Sequence, residues 1–311
     1  MTSKLTSLKK IILIAGPTAS GKSSLAIRIA KKINGEIINA DSMQIYKEFL
    51  VLSSSPSFVD RKKIKHHLYG ILSVKNYFSV GNWLTVVKKK VNEIIKKKKV
   101  PIIVGGTGLY FNAITKGIGK VPEIDIKFRK KIRVFHTKVG QKNFYKKLIS
   151  IDPRSKKHIS PEDSQRSIRA YEVKLFTKKS LYDWFSSTRS DFLDYNLIKF
   201  YIDIPRDILL KNIEKRTNLM FKKNCISEVK NFLRLKLDKS LSSNKLIGVK
   251  EISDYLSGFS DLKKTKELIN IRTRQYAKRQ NTWSRGHMKL WMKVYSNDST
   301  HLTKKILKAI S

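Results

Sequence analysis

The chain has one cysteine, few acidic residues and no long apolar run, and each scarcity excludes a class of protein. Cys225 is the only cysteine in 311 residues, which excludes an internal disulfide framework and a zinc cluster built from cysteines. No apolar run approaches the roughly 20 residues that a membrane span requires. The apolar stretch at residues 11–15 runs into a glycine-rich loop instead of a cleavage site, so we expect no secretory signal. These features predict a soluble cytoplasmic protein.

Acidic residues are far outnumbered by basic ones. The chain has 66 Lys and Arg against 24 Asp and Glu, a formal net charge of +42 at pH 7. A field of that sign attracts polyanions, so nucleic acid is the expected partner and its binding should depend on salt. An AT-rich coding sequence would also produce a chain rich in Lys, Asn and Ile. Charge alone therefore leaves nucleic-acid binding open.

Short apolar runs, typical of buried parallel strands, alternate with helical patterns over the first third of the sequence. In the helical patterns, apolar residues recur at every third or fourth position. This alternation predicts an α/β fold with a doubly wound parallel sheet. The predicted strands are residues 11–15, 36–40, 100–104 and 199–204, and the predicted helices include residues 25–33 and 83–94.

A glycine-rich loop joins the first predicted strand to the first predicted helix. Residues 16–23 read GPTASGKS, which matches the P-loop pattern G-x-x-x-x-G-K-[ST] in its required place between a strand and a helix. The backbone N–H groups of such a loop and the helix N-terminus bind phosphate oxygens. Lys22 is expected to reach a terminal phosphate, and the Ser23 hydroxyl to ligate Mg²⁺. The predicted phosphate-binding residues are Gly16, Pro17, Thr18, Ala19, Ser20, Gly21, Lys22 and Ser23.

The loop predicts a phosphate-rich ligand without specifying the reaction. Its usual use is binding of ATP or another nucleotide, followed by hydrolysis or phosphoryl transfer. A diphosphate held in the same way can also be a leaving group, since Mg²⁺, Lys22 and backbone donors neutralise the charge that develops on it.

The pattern changes after residue 115. Helical segments rich in Lys and Arg dominate residues 116–194, where no run of residues indicates a strand. A strand pattern then resumes and is followed by further helical stretches. We therefore predict a P-loop NTPase-like core formed by residues 8–115 and 195–311, interrupted by a mostly helical insertion at residues 116–194.

Six segments stand in a fixed order along the chain. They are GPTASGKS at 16–23, NADSMQIYK at 39–47, PIIVGGTGLY at 101–110, DSQRSIRAYEV at 163–173, LIGVKE at 246–251 and TRQYAKRQNTW at 273–283. Together they closely resemble the bacterial tRNA dimethylallyltransferase (IPP transferase) family, from about residue 8 to residue 283. The resemblance implies an enzyme that transfers a dimethylallyl group from dimethylallyl pyrophosphate to N6 of the adenosine next to the anticodon (position 37 of the tRNA). Pyrophosphate is the second product.

The resemblance also implies catalytic roles for Asp41, Thr107 and Arg216. An adenine amine is a poor nucleophile because its lone pair is delocalised into the ring, so a carboxylate that accepts its proton assists the reaction. Asp41 is implied as that base, and it follows a predicted strand at the sheet edge where α/β proteins bind ligands. Thr107 is implied to line the channel, and Arg216 to bind the pyrophosphate through its planar guanidinium.

A tRNA-binding surface is implied as well. The target adenosine must leave the stack of its loop, and the family places the prenyl donor and the adenine at opposite ends of one channel. Implied partners are the anticodon stem-loop of tRNA and dimethylallyl pyrophosphate, with Mg²⁺ as cofactor, no membrane and a monomeric state. The residues implied to contact tRNA are Asp41, Ser42, Met43, Gln44, Thr107, Arg129, Gln165, Arg166, Ser167, Ile168, Arg169, Arg274, Gln275, Lys278 and Arg279.

Several positions depart from the commonest pattern of the family. Residues 52–56 read LSSSP where many members have GTAKP. Asn224 stands in place of a glycine, Val249 in place of a tyrosine, and Ser284 in place of an aromatic residue. None of these changes removes a proposed catalytic group.

Three alternatives remain at this point. An isopentenyltransferase for free adenine nucleotides would perform a related reaction, but a small acceptor needs no basic helical surface such as residues 116–194 and 272–285. A P-loop small-molecule kinase would instead transfer phosphate from ATP. A non-catalytic RNA-binding protein would have no use for an intact phosphate loop.

Overall fold

The computed structural model describes residues 9–186, 188–238, 241–295 and 298–310. The predicted first and last residues of the core, Leu8 and Ser311, lie outside these ranges. The chain divides into two compact units. The first consists of Met1–Thr115 and Asp191–Ser311, and the second of Lys116–Ser190.

A six-stranded sheet in the order β3-β2-β4-β1-β5-β6 forms the centre of the first unit. All paired strands are parallel. The strands are β1 (Lys9–Ala15), β2 (Gly35–Asn39), β3 (His66–His67), β4 (Val100–Gly105), β5 (Tyr195–Ile202) and β6 (Met292–Val294). The predicted α/β class is confirmed. The strands β3 and β6 have only 2 and 3 residues, too few for a period of two to be recognised in the sequence.

Helices cover both faces of this sheet and extend beyond it. Leu25 and Ile29 of the first helix pack in the main core against β1, whose residues Ile11 to Ile14 are fully buried. The helices of the first unit are α1 (Lys22–Lys32), α2 (Phe58–Lys63), α3 (Val80–Lys96), α4 (Gly108–Lys116), α8 (Arg206–Lys222), α9 (Cys225–Arg234), α10 (Val249–Leu256), α11 (Leu262–His287) and α12 (Ser299–Ile310).

A second apolar core lies under α8 to α11. Phe49 and Ile45 from the loop after β2 pack there against residues of α9 and α10, including Val249. Asn224 adopts a left-handed conformation with φ 61°, which explains how it can replace glycine, since asparagine tolerates this region better than most residues. Cys225 is fully buried, and burial raises the pKa of its thiol to about 11.

The second unit is helical, as predicted, and its described residues contain no strand. It consists of α5 (Ile126–Ile151), α6 (Ser164–Thr177) and α7 (Leu181–Ser186) with a 3₁₀ turn at Pro153–Lys157. A kink interrupts α5 at Gly140, whose φ of 74° suits glycine. The unit ends at Ser190, before the predicted boundary. Asp191 already belongs to the first unit, where it pairs with Lys88 of α3 at 3.3 Å.

The carboxyl ends of β2 and β4 approach each other very closely. A Cβ atom at Gly105 would lie 2.0 Å from the carbonyl oxygen of Ala40. The same oxygen accepts a hydrogen bond from the Thr107 N–H group at 3.2 Å. The loops that carry Asp41 and Thr107 therefore meet at the carboxyl ends of two neighbouring strands, and only glycine fits at position 105.

We predict that Gly105→Ala destabilises the protein by about 1–3 kcal/mol, because the added methyl group has no space next to Ala40. Gly286→Ala in α11 is the matched control, since a Cβ atom there has no neighbour within 4 Å. In a helix the same change is favourable by up to about 1 kcal/mol. Urea unfolding of both variants checks the prediction, and equal stability of the two would contradict it.

Candidate active site

The P-loop forms a tight turn between β1 and α1. Ala19 and Gly21 have φ of 62° and 80°, and the Ser20 N–H group donates to the Pro17 carbonyl at 3.3 Å. The Lys22 ammonium also donates to this carbonyl, at 3.0 Å. Burial lowers the pKa of Lys22 to about 8, with the charge of Asp41 opposing the shift and that of Arg216 adding to it. An anionic ligand would remove this electrostatic cost.

Helix α8 holds the P-loop from one side. The Arg216 guanidinium donates to the Thr18 hydroxyl at 2.7 Å and to the Ser53 carbonyl at 3.3 Å. One turn earlier, the Asn212 amide donates to the Ala19 carbonyl at 3.1 Å. Burial lowers the pKa of Arg216 and nearby Asp41 opposes this shift. Because a guanidinium stays charged in proteins, Arg216 places a fixed cation beside the loop.

Helix α11 holds the P-loop from the other side through one amide. The Gln280 side-chain oxygen accepts from the Thr18 N–H group at 2.8 Å, and its nitrogen donates to the Gly106 carbonyl at 2.9 Å. A Cβ atom at Gly106 would lie 2.3 Å from that nitrogen. Gln280 thus ties the phosphate loop to the Gly-Gly-Thr turn after β4.

Asp41 is fixed at the end of β2 by backbone contacts. The Asn39 side chain accepts from the Asp41 N–H group at 2.8 Å and donates to its carbonyl at 2.9 Å. One carboxylate oxygen of Asp41 accepts from the Met43 N–H group at 2.9 Å. The Thr107 hydroxyl accepts from the Ser42 N–H group at 3.0 Å. The Asp41 loop and the Thr107 turn are therefore joined directly.

Two cavities lie along α11 on either side of Tyr276 and Arg279, which line both. The first, of about 320 Å³, is lined by both polar and apolar side chains. Its lining residues are Thr18, Asp41, Ser42, Met43, Leu52, Ser53, Arg216, Thr217, Met220, Lys245, Leu246, Ile247, Ile269, Thr273, Tyr276 and Arg279. The second, of about 250 Å³, has glycines and aromatic rings. It is lined by Ala15, Gly16, Gly106, Thr107, Gly108, Leu109, Phe111, Tyr201, Tyr276, Arg279, Gln280, Trp283, Ser284 and Met288.

The three implied catalytic residues line these cavities. Asp41 and Arg216 line the first cavity, and Thr107 lines the second. Gln44, a predicted nucleotide contact, lies outside this group. Its side-chain nitrogen is engaged by the carbonyls of Ser53 and Ser54, at 3.1 and 3.0 Å. It braces the loop at residues 52–55 and is not among the residues that line either cavity.

Arg279 is the predicted α11 residue that lines the cavities. Arg274, Gln275 and Lys278 are exposed and line neither cavity. The predicted site residues do not include Tyr276, Gln280 and Trp283, which do line the second cavity. Their spacing of four and three residues places these side chains on one helical face, and this spacing is the signal by which the sequence could identify them.

In the insertion, two predicted tRNA contacts have buried side chains. Ser167 is fully buried and accepts a hydrogen bond from Gln141 at 3.3 Å. Ile168 is 5 % exposed and packs against Ile132 and Phe144. They lie on the inner face of α6, whereas the neighbouring Gln165 and Arg166 are exposed. The motif predicts which segment contacts tRNA, and the helical period determines which of its side chains are exposed.

Three arginines of the insertion surround one buried carboxylate. Glu172 is 1 % exposed, and its oxygens lie 3.3 Å from Arg129 Nε, 3.9 Å from Arg133 Nε and 3.6 Å from an Arg169 terminal nitrogen. Arg129 and Arg169 are predicted tRNA contacts, and the structure places both in this cluster. A single negative charge thus fixes the positions of three positive ones.

Comparison with known proteins identifies the family. The family model described as IPP transferase matches residues 44–287. The chain belongs to the IPP transferase family. The matched region includes Thr107, Arg216 and Gln280. It begins after the P-loop and Asp41, so the description of those two features rests on the contacts given above and not on the family match.

Curated relatives and solved structures of IPP transferases resemble the chain over most of its length. It is 53 % identical to a tRNA dimethylallyltransferase of Pelagibacter ubique, over 92 % of this chain and 91 % of the relative. For the Rickettsia canadensis relative of the same name, identity is 40 % over 90 % and 87 % of the two chains. The crystal structure of the tRNA isopentenylpyrophosphate transferase of Bacillus halodurans matches with TM-score 0.70 and 30 % identity, covering 97 % of this chain and 95 % of that one.

A further solved structure is described as a eukaryotic dimethylallyltransferase acting on tRNA. It matches with TM-score 0.77 and 27 % identity, over 89 % of this chain and 70 % of that one. Within the described ranges of the present chain, none of the helices combines the length and apolar character that a bilayer crossing requires.

The lowered pKa of Lys22 predicts a pH-dependent affinity for pyrophosphate. Below about pH 8 the ammonium is charged and attracts the anion, and above it the neutral amine does not. We expect binding at pH 9 to be about tenfold weaker than at pH 7, as the charged fraction falls. Calorimetric titration with inorganic pyrophosphate at pH 7 and pH 9 measures the two affinities. Lys22→Arg is the control, because its guanidinium stays charged and its affinity should not fall between the two pH values. A fall as large as that of the wild type would contradict the assignment to Lys22.

The arginine cluster predicts that Glu172→Gln destabilises the insertion by about 1–2 kcal/mol, because three guanidinium groups lose their shared counter-charge. This loss of stability is at the low end of the range for charged groups, because the three arginines are partly exposed and water screens their charges. Glu162→Gln makes the same chemical change at an exposed position and should have little effect. Urea unfolding compares the two variants, and the same stability for both would refute a role for Glu172.

Proposed function

We propose that this chain transfers a dimethylallyl group from dimethylallyl pyrophosphate to N6 of the adenosine next to the anticodon of a tRNA. One observation carries the proposal: Thr18 of the phosphate loop, the Arg216 guanidinium and the Asp41 carboxylate line one cavity. The names of the curated relatives, and that of the eukaryotic enzyme with a similar structure, support it.

The first cavity suits the prenyl donor. Thr18 and Arg216 line it, and Lys22 lies close enough to Arg216 for their charges to interact, so a diphosphate would be neutralised there. Leu52, Met220 and Ile269 supply apolar lining for the dimethylallyl tail. A site with a fixed cation and apolar side chains matches both parts of such a donor.

The second cavity continues the site along α11. A Cβ atom at Gly106 would lie 2.3 Å from Gln280 Nε2, and one at Gly108 would lie 2.3 Å from the Trp283 ring, so α11 packs directly on this turn. Asp41, the proposed base, and the predicted nucleotide contacts Ser42 and Met43 line the first cavity. An adenine that has left its loop would therefore meet the donor there, beside Tyr276 and Arg279.

The reaction follows from this placement. The bond between the allylic carbon and the diphosphate oxygen breaks, and the diphosphate leaves with the electron pair. Lys22 and Arg216 stabilise the charge that develops on it. The adenine N6 lone pair forms the new bond to carbon, and the N6 proton passes to the Asp41 carboxylate. Atoms and charge balance without an oxidant or reductant.

The residues present fit a Mg²⁺ ion held largely by substrate phosphates. In the part of the chain that the structure describes, no three His, Cys, Asp or Glu side chains are grouped to hold a metal. Mg²⁺ commonly keeps several waters and binds one or two protein oxygens plus substrate phosphates. Ser23, exposed in the first turn of α1, is the proposed protein ligand. Mg²⁺ would supply additional neutralisation of the diphosphate charge. The cytoplasmic location and the monomeric state stay predictions from the sequence.

The test is mass analysis of the anticodon-loop adenosines after incubation of the protein, Mg²⁺ and tRNA with dimethylallyl pyrophosphate. Prenylated adenosine next to the anticodon is expected. Parallel reactions with AMP, and with labelled ATP, examine the free-nucleotide transferase and the kinase. Prenyl incorporation into AMP without incorporation into tRNA, or transfer of the ATP phosphate to an acceptor, would replace the proposal.

We predict that Asp41→Asn lowers turnover by about 10²–10⁴-fold while tRNA binding stays largely intact, because the base is lost and the shape is kept. Asparagine can retain the hydrogen bond from the Met43 N–H group, so the loop should hold its position. Single-turnover rates and tRNA affinity are measured side by side, with Asp41→Ala as a second variant. Equal loss of binding and turnover in both would show that Asp41 has another role.

A further inference from the structure

The apolar lining of the first cavity is continuous with the second apolar core. Leu52, Met220 and Ile269 line the cavity and also belong to the core under α8 to α11. All three side chains are buried. Because protein cores are close-packed, these side chains cannot withdraw from a bound ligand without disturbing the core behind them. The apolar lining is therefore a rigid boundary.

Leu52 fills the space between this cavity and the start of α10. A Cβ atom at Gly248, the residue before α10, would lie 2.6 Å from Leu52 Cδ1 and 3.4 Å from its Cγ. The leucine side chain therefore rests directly on the Gly248 backbone. Gly248 has φ 102°, a conformation that favours glycine. The Leu52 side chain thus has backbone on one side and the cavity on another.

The backbone around Leu52 is held by charged side chains from two helices. The Glu228 carboxylate of α9 accepts from the N–H groups of Val51 and Leu52, at 2.7 and 2.8 Å. The Ser53 carbonyl accepts from the Arg216 guanidinium of α8 at 3.3 Å. Hydrogen bonds to ionised groups are stronger than those between neutral groups. The loop at residues 51–53 therefore keeps Leu52 in place.

Arg216 connects the position of Leu52 to that of the donor. The proposed function places the donor diphosphate beside Arg216, and the same guanidinium holds the residue that follows Leu52. The distance from the bound diphosphate to the Leu52 side chain is thus determined by one hydrogen-bonded connection. A donor held by its diphosphate has a fixed amount of space for its tail.

The available space is small. The first cavity measures about 320 Å³, close to the lower limit of about 300 Å³ for small-molecule sites. It must admit the donor and also the adenine amine beside Asp41. A tail with a second isoprene unit adds five carbon atoms, and forcing extra carbon atoms into a packed site is unfavourable.

We propose that Leu52 determines the size of the prenyl group that the protein transfers, admitting the five-carbon dimethylallyl tail and excluding the ten-carbon geranyl tail. The inference rests on the proposed function, because that function places the donor in the first cavity. Leu52 takes no part in bond breaking or proton transfer. It acts by contact with the tail, and shortening its side chain would open space toward Gly248. The bonds broken and formed would be the same for both donors, which differ only at the far end of the tail.

The test compares kcat/KM for dimethylallyl and geranyl pyrophosphate, with tRNA as acceptor, in the wild type and in Leu52→Ala. The ratio of two donors in one sample does not depend on the fraction of folded protein. Ile252→Ala is the matched control, because it removes as many carbon atoms from a buried side chain of the same core that does not line the cavity. Leu52→Met, which nearly conserves the side-chain volume, is a second control.

We expect the wild type to prefer dimethylallyl pyrophosphate by about 100-fold or more, since even one methylene in an apolar pocket changes kcat/KM by about 10- to 200-fold. Leu52→Ala should reduce this preference by about tenfold or more. Ile252→Ala and Leu52→Met should keep it within about twofold of the wild-type value, because the boundary stays in place. An unchanged preference in Leu52→Ala, or an equal reduction in Ile252→Ala, would overturn the proposal.

Donor binding without tRNA separates this inference from the proposed function. The probes are analogues of the two donors in which sulfur replaces the bridging oxygen, so that the diphosphate does not leave. The affinity for the geranyl analogue, relative to the dimethylallyl analogue, should rise about fivefold or more in Leu52→Ala. The same relative affinity in the variant and the wild type would refute the role of Leu52. Failure of the proposed function is recognised separately, as absence of dimethylallyl transfer to tRNA by the wild-type protein.

Discussion

One side-chain amide determines the arrangement of the site. Gln280 of α11 accepts from the Thr18 backbone and donates to the Gly106 backbone, so a distant helix connects the phosphate loop to the turn after β4. The two loops come from neighbouring parallel strands, but their side chains alone do not define the space between them. With α11 in place, Tyr276 and Arg279 divide that space into two cavities.

The charges around this arrangement are suited to an anion that arrives from outside. Lys22 and Arg216 both have a pKa lowered chiefly by burial, with Asp41 as the nearby opposite charge. Two cations held by one carboxylate are incompletely compensated. A diphosphate would compensate them and leave Asp41 available to a second substrate. The same electrostatics that bind the donor therefore prepare the acceptor side.

The sequence predicts the local features well because they depend on short patterns. The strand and helix periods identify β1, β2 and β4, the P-loop follows from its motif, and Asp41 is implied by the family resemblance. The face of a helix that becomes buried depends on its tertiary neighbours. For this reason the predicted contacts include the buried Ser167 and Ile168 and omit Tyr276 and Gln280, which line the cavities. The sequence pattern identifies the segment, and packing against neighbouring elements determines which face of its helix is buried.

These contacts also explain why a phosphate loop can serve prenyl transfer instead of nucleotide hydrolysis. The Thr18 N–H group, which in an open loop could point at a phosphate, donates to Gln280, and the Thr18 hydroxyl accepts from Arg216. The loop is therefore covered by α8 and α11. A ligand diphosphate would be bound at one end of a partly apolar cavity, with its other substituent directed along the wall toward Tyr276. In the proposed reaction, the carbon next to the diphosphate would then meet the adenine amine beside Asp41.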